Sequence, residues 1–147
     1  MSEGQPQEYH MNTLTESLEA YIRAMPKVEL HVHLEGSIRP ETLLELAARH
    51  GVELPARTVD ELREWYAFRN FDHFVEVYLA AAGCIQTPAD VERIASDFLD
   101  GQAAQNVLHS EVTYTASTHR MLSGIPLDDQ LEAINQIGRA TCRERIE

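Results

Sequence analysis

Hydrophobic and polar positions alternate without interruption from Val28 to Glu35. Val28, Leu30, Val32 and Leu34 fall on one side, and Glu29, His31, His33 and Glu35 on the other. A period of two predicts a β-strand. A second such stretch runs from Val107 to Thr115. It has Leu108, Val112 and Tyr114 on one side and His109, Glu111, Thr113 and Thr115 on the other. Elsewhere the spacing is helical. Leu14, Leu18, Tyr21 and Ile22 predict a short helix over residues 13–25, ended by Pro26. Pro40 suits the first turn of a helix whose stripe is Leu43, Leu44, Ala47 and Ala48 and whose stop is Gly51. Thr58-Val-Asp-Glu61 has the form of a capping box and opens a short helix through Trp65 and Tyr66. A helix is expected over residues 71–85. Another opens at Thr87-Pro-Ala-Asp90, with the stripe Val91, Ile94, Ala95, Phe98 and Leu99. Pro126 opens the last, which carries Leu131, Ile134 and Ile137.

Strands alternating with helices imply βα units around a parallel sheet, an α/β fold. Two strands alone cannot bury both faces of such a sheet or satisfy its edges. The expectation is the first part of a larger α/β protein, incomplete at about two strands plus several helices. If the parent is a (β/α)₈ barrel, roughly 250 residues would be needed. Residues 1–12 read as a disordered leader. Residues 13–147 read as the N-terminal portion of one barrel domain, ending inside the last helix at Arg143-Glu-Arg-Ile-Glu147.

Charge narrows the range of partners. Among 147 residues, 12 Lys and Arg stand against 24 Asp and Glu, a net charge of −12. That balance argues against nucleic-acid and anionic-membrane partners, which need clustered basic residues. No apolar stretch is long enough for a transmembrane helix, and the first residues do not form a secretory signal. Cys84 and Cys142 lie far apart and form no C-x-x-C, so a disulfide scaffold is not expected. Two reduced thiols in a cytoplasmic protein is the expected reading.

The strongest local chemical signal is His31-Val-His33. Two His at i and i+2 on a strand point to the same side, and catalytic zinc takes about three protein ligands plus an open position for water. The pair lies near the end of its strand, where barrel enzymes place their chemistry. A polar strand face that simply meets water explains the spacing equally well, and Glu29 and Glu35 fit either reading. No H-E-x-x-H, Walker A, G-x-G-x-x-G or G-x-S-x-G occurs. His33-Leu-Glu35 matches half of a cytidine-deaminase-type zinc site, but the required P-C-x-x-C pair is missing. His10, His50, His73, His109 and His119 show no metal spacing and are expected at the surface or in the core. Trp65, Phe68, Phe71 and Phe74 are expected in the core, and Glu111 in a structural role.

The run from Met25 to Leu43, P-K-V-E-L-H-V-H-L-E-G-S-I-R-P-E-T-L after the Met, strongly resembles the start of the adenosine/adenine deaminase family, metal-dependent hydrolases with a (β/α)₈ barrel. Residues 71–85, then 94–99, then Ser110-Glu-Val-Thr-Tyr114 also resemble that family, over most of residues 25–138. The resemblance implies that His31 and His33 are the first two ligands of a Zn2+ ion. It implies that His33 and Glu35 stand beside the substrate, and that Gly36 lets the backbone turn there. Glu35 occupies the place where adenosine-specific members have Asp. Glu there is common in relatives acting on adenine or modified adenosines. The third zinc His, the H-A-G-E segment, a further His and a late Asp-Asp pair have no counterpart within the 147 residues. No catalytic acid or base is therefore expected in this chain.

The resulting expectation is the N-terminal fragment of a zinc-dependent adenosine deaminase acting on a small purine. The alternatives are an adenine or modified-adenosine deaminase, or an inactive truncated chain. A phosphoesterase with an N-terminal H-x-H strand is a further reading, disfavoured by the P-E-T-L helix start.

Overall fold

The structure, a computed structural model, describes the backbone of residues 7–144 and the side chains of residues 16–138. The chain runs α1 (Gln7–Ala24), β1 (Lys27–His33), a 3₁₀ turn (Leu34–Ser37), α2 (Pro40–His50), α3 (Val59–Trp65), α4 (Phe71–Gly83) and α5 (Pro88–Ala104). It continues as β2 (Val107–Thr113), α6 (Ala116–Ser123) and α7 (Leu127–Glu144). Strands β1 and β2 pair in parallel, with Lys27 opposite Val107 and His33 opposite Thr113. The connection between them crosses over through α2 to α5, as a parallel pair requires.

The helix starts follow from their caps. Thr58 Oγ1 accepts from the Glu61 amide, and Glu61 Oε2 accepts from the Thr58 amide, both at 3.2 Å. Thr87 and Asp90 form the same reciprocal box at the head of α5. Asn70 Oδ1 accepts from the His73 amide at 2.9 Å and starts α4. Gly51 closes α2 at φ +66°, a left-handed value that a side chain at this position would oppose.

The core lies on the helical side. Leu43 and Leu46 of α2, Leu62 of α3, Ile85 after α4, and Val91 and Ile94 of α5 are buried together with Leu34 and Ile38. The α5–α7 contact extends this core through Phe98 and Ala133. The sheet is more open. Val28 is 64% exposed and Leu30 61%, with Leu108 at 59% on the neighbouring strand.

Four expectations are corrected. Strand β1 stops at His33 and β2 at Thr113, each two residues short of the alternating pattern. After His33 the chain winds into the 3₁₀ turn, where Ser37 Oγ donates to the Leu34 carbonyl at 2.7 Å. Leu34 and Glu35 thereby enter the interior. Helix α1 begins at Gln7, so residues 7–12, expected to be disordered, are helical. No Gly or Pro interrupts the sequence between Pro6 and Pro26. Residues 1–6 and the end of the last predicted helix, residues 145–147, lie outside the described residues. Helix α6 is an addition. Met121 and Leu122 are exposed on it, so it shows no clear apolar stripe in the sequence. Finally, Phe68, Phe71 and Phe74 are not core residues. They are 55%, 75% and 41% exposed: Phe68 lies in the loop before α4, and α4 turns Phe71 and Phe74 outward, while Trp65 is half-buried.

Candidate functional site

His31 and His33 extend from the same side of β1, and both are exposed. Their rings lie edge to face with centroids 5.2 Å apart. They line an open cleft of about 610 Å³ together with Glu29, Val32, Gly36, Ser37, Phe74 and Tyr78. Two accessible imidazoles on one strand face suit a zinc ion, which takes neutral ring nitrogens readily. Among the described residues no group of three or more His, Cys, Asp or Glu could hold a metal. The pair therefore fits as two donors of a larger set. Glu29 is committed elsewhere, since its Oε2 accepts from Gln102 Nε2 of α5 at 2.8 Å.

Aromatic rings form one wall of the cleft. Phe74 packs edge to face on Phe68 at 5.1 Å and lies 6.0 Å from Phe71. Tyr78 stacks beyond it at 6.5 Å. The Tyr78 hydroxyl and Thr115 Oγ1 are hydrogen-bonded at 3.1 Å.

Glu35 is placed differently from the histidines. The alternating pattern puts all three on one strand face, but the 3₁₀ turn carries Glu35 inside, where it is 1% exposed and does not line the cleft. Its Oε1 accepts from the Thr115 amide at 2.7 Å and from His119 Nε2 at 3.1 Å. His33 pairs with Thr113, so two residues further on Glu35 meets Thr115. A side-chain carboxylate thus continues the β1–β2 ladder after the main chain of β1 has turned away. Burial alone would raise the Glu35 pKa. The hydrogen bonds from His119 and the Thr115 amide outweigh it and hold the carboxyl below its usual range. Glu35 Oε2 is also buried and has no hydrogen-bond partner among the described residues.

His119 is the residue that the sequence alone does not single out. It is fully buried, and its ring stacks on Tyr114 at 5.1 Å with 10° between the planes. The Tyr114 hydroxyl donates to Gln130 Oε1 at 2.8 Å. Of the other histidines with described side chains, His50 bonds Asp90, His73 is buried, and His109 lies exposed beside Glu111. None of these joins the cleft. The signal that would locate His119 is the strand register, which places Glu35 beside Thr115 and hence near a helix beginning at Ala116.

The comparisons with known proteins agree on one family. The family model for adenosine deaminase matches residues 26–145. The adenine deaminase of Geotalea uraniireducens is 41% identical over 132 residues, covering 90% of this chain and 36% of that protein. The crystal structure of an adenine deaminase from Arthrobacter aurescens superposes with TM-score 0.69 at 33% identity, covering 78% of this chain and 35% of that one. An amidohydrolase structure from Burkholderia ambifaria with bound zinc superposes with TM-score 0.72 at 34% identity, covering 84% and 34%. The chain thus spans about a third of the length of these relatives. The solved structures are (β/α)₈-barrel hydrolases, and β1, β2 and their helices form part of such a barrel.

Proposed function

The chain belongs to the adenosine deaminase family, and from that premise we propose that it is the N-terminal part of a zinc-dependent aminopurine deaminase acting on adenine. Adenosine is the first expectation from the sequence. Adenine replaces it because two of the three relatives named above are adenine deaminases and because Glu35 stands where the resemblance associates Asp with adenosine. Adenosine and modified adenosines remain the rival substrates. The observation that carries the reading is the exposed His31–His33 pair on one face of β1, opening into a cleft with an aromatic wall.

In this reading His31 and His33 supply two of the ring nitrogens that hold Zn2+. Zinc, when bound, polarises a water and lowers its pKa toward neutrality. Phe74 and Tyr78 offer flat apolar surface to a planar base. His33 and Glu35 are assigned to the substrate side. For Glu35 that assignment rests on the resemblance alone, since its side chain is buried and does not line the cleft. The residues that protonate the ring and move the water proton are assigned outside the 147 residues. The chain alone is therefore expected to be inactive.

The test uses the protein expressed from its complete reading frame and loaded with Zn2+. Ammonia release is measured from adenine, adenosine and N6-methyl-AMP. The expected result is the highest kcat/KM with adenine. No release from any of the three overturns the deaminase reading, and a preference for a nucleoside or nucleotide overturns the substrate. His31→Ala and His33→Ala should each lower zinc content, measured by atomic absorption, and abolish turnover.

A further inference from the structure

We propose that the buried chain Gln130–Tyr114–His119–Glu35 positions the end of β1 for zinc: His119 holds the 3₁₀ turn through Glu35, and the turn fixes the backbone of His33. The inference rests on the zinc reading above and names the residues that orient one of its two ligands. None of the four lines the cleft.

Three observations carry it. First, His33 is joined directly to the turn. Its own backbone is still extended, at φ −89° and ψ 120°, and the next residue begins the turn. The chain then folds back so closely that a Cβ at Gly36 would lie 3.8 Å from His33 Cβ. A shift of the turn therefore moves His33. Second, the turn is held from a distant part of the chain. Glu35 Oε1 accepts from the Thr115 amide at 2.7 Å and from His119 Nε2 at 3.1 Å. Third, the holder is itself held. His119 is fully buried and its ring lies flat on Tyr114. The Tyr114 hydroxyl donates to Gln130 Oε1 at 2.8 Å, and Gln130 Nε2 donates to the Ile125 carbonyl at 2.7 Å. Helices α6 and α7 and the end of β2 thus converge on the carboxylate two residues after His33.

The energetic logic is preorganisation. A histidine ligand usually takes its orientation from a hydrogen bond to its second ring nitrogen. Among the described residues neither His31 nor His33 has such a bond. Within those residues their aim is set by the backbone. A backbone free to sample several turn geometries loses that freedom when the ion binds, and a turn already fastened avoids the loss. Removing a supporting group outside the ligand set typically weakens metal binding by about 10–100-fold.

The experiment compares wild type, His119→Gln, His119→Asn and Tyr114→Phe, each expressed from the complete reading frame. Gln carries an amide N–H at a reach similar to that of the His Nε2, and Asn carries the same group too short to meet Glu35. Zinc affinity of the metal-free proteins is measured by chelator competition. The visible absorption of the Co2+ form reports ligand geometry, and circular dichroism and Tm report folding. His119→Asn should weaken zinc binding by about tenfold or more and shift the Co2+ bands. His119→Gln should stay within about threefold of wild type and keep its bands. Tyr114→Phe leaves the stacked ring and removes one hydroxyl, so it should weaken zinc binding by about two- to fivefold. Unchanged zinc affinity in a folded His119→Asn, with or without a lower Tm, overturns the inference while leaving the zinc reading intact. Equal weakening in the Asn and Gln variants also overturns it, because reach would then not matter. If His119→Asn does not fold, Tyr114→Phe decides, and an unchanged zinc affinity there overturns the inference. A wild type that binds no zinc overturns the zinc reading and the inference with it.

Discussion

Asp90 and Glu35 are both carboxylates at 1% exposure or less, yet they are served very differently. At Asp90 both oxygens are occupied. Oδ1 accepts from Arg49 at 2.7 Å, and Oδ2 accepts from the Gln86 and Thr87 amides, the Thr87 hydroxyl and His50. At Glu35 one oxygen is occupied and the other has no donor among the described residues. Asp90 sits in the packed helical side, and Glu35 sits at the end of an open sheet. The contrast separates two uses of buried charge. A fully partnered carboxylate fastens neighbouring segments, here the end of α2 to the head of α5. A half-partnered one keeps capacity for something that the described residues do not supply.

The largest expected effect comes from breaking the closed network. Asp90→Ala removes a helix cap, leaves His50 and the Gln86 and Thr87 amides without their acceptor and reduces Arg49 to its exposed pair with Glu45, so it should cost about 3–5 kcal/mol. Urea unfolding followed by circular dichroism checks this, and a change below about 1 kcal/mol would contradict the role assigned to Asp90. The same network has a pH signature. Burial would raise the Asp90 pKa, but its hydrogen bonds from Thr87, the Gln86 amide and His50 prevail and lower it. A carboxyl depressed in the folded state stabilises above its unfolded pKa of about 4, and that stability is lost as pH falls through the folded value. The urea midpoint should therefore drop below about pH 4 in wild type, and drop less steeply in Asp90→Ala.

A matched pair of leucines sharpens the same contrast. Leu46 is fully buried between the helices, and Leu46→Ala should cost about 2–5 kcal/mol. Leu30 is 61% exposed on β1. Leu30→Ala should shift stability by no more than about 0.5 kcal/mol in this chain. Equal losses at the two positions, measured by the same urea titration, would show that the sheet is as well covered as the helical side.

The helical side was largely legible in the sequence because its signals are local. Thr58 with Glu61, and Thr87 with Asp90, are cap patterns within three residues of each other, and both form. The stripe Val91, Ile94, Ala95 and Phe98 faces the core as its spacing predicts. His31 and His33 are likewise brought together by the period of a strand. Glu35 was misplaced by that very rule, because alternation says nothing about where a strand ends. The Gly36-Ser37 break marks the turn but not the direction in which Glu35 leaves it. His119 was invisible because its partner lies 84 residues away, and only the β1–β2 register joins them. The exposed Phe68, Phe71 and Phe74 illustrate a third limit. Aromatic composition favours burial, but which side of a helix finds a neighbour depends on what packs there.

The bond from Glu35 to the Thr115 amide spans 80 residues of chain. At a synthesis rate of about 5–20 residues per second, the ribosome needs on the order of 4–16 s to make the second partner after the first. For that interval Glu35 emerges without its latch, while α2 and α3, built from near neighbours, are already available to fold. Order of birth is therefore order of assembly: the helices come first and the strand ends are sealed last. In refolding followed by pulsed hydrogen exchange, the Thr115 amide should gain protection after the amides of α2. Simultaneous protection would show that the two ends of the sheet meet before the helices between them settle.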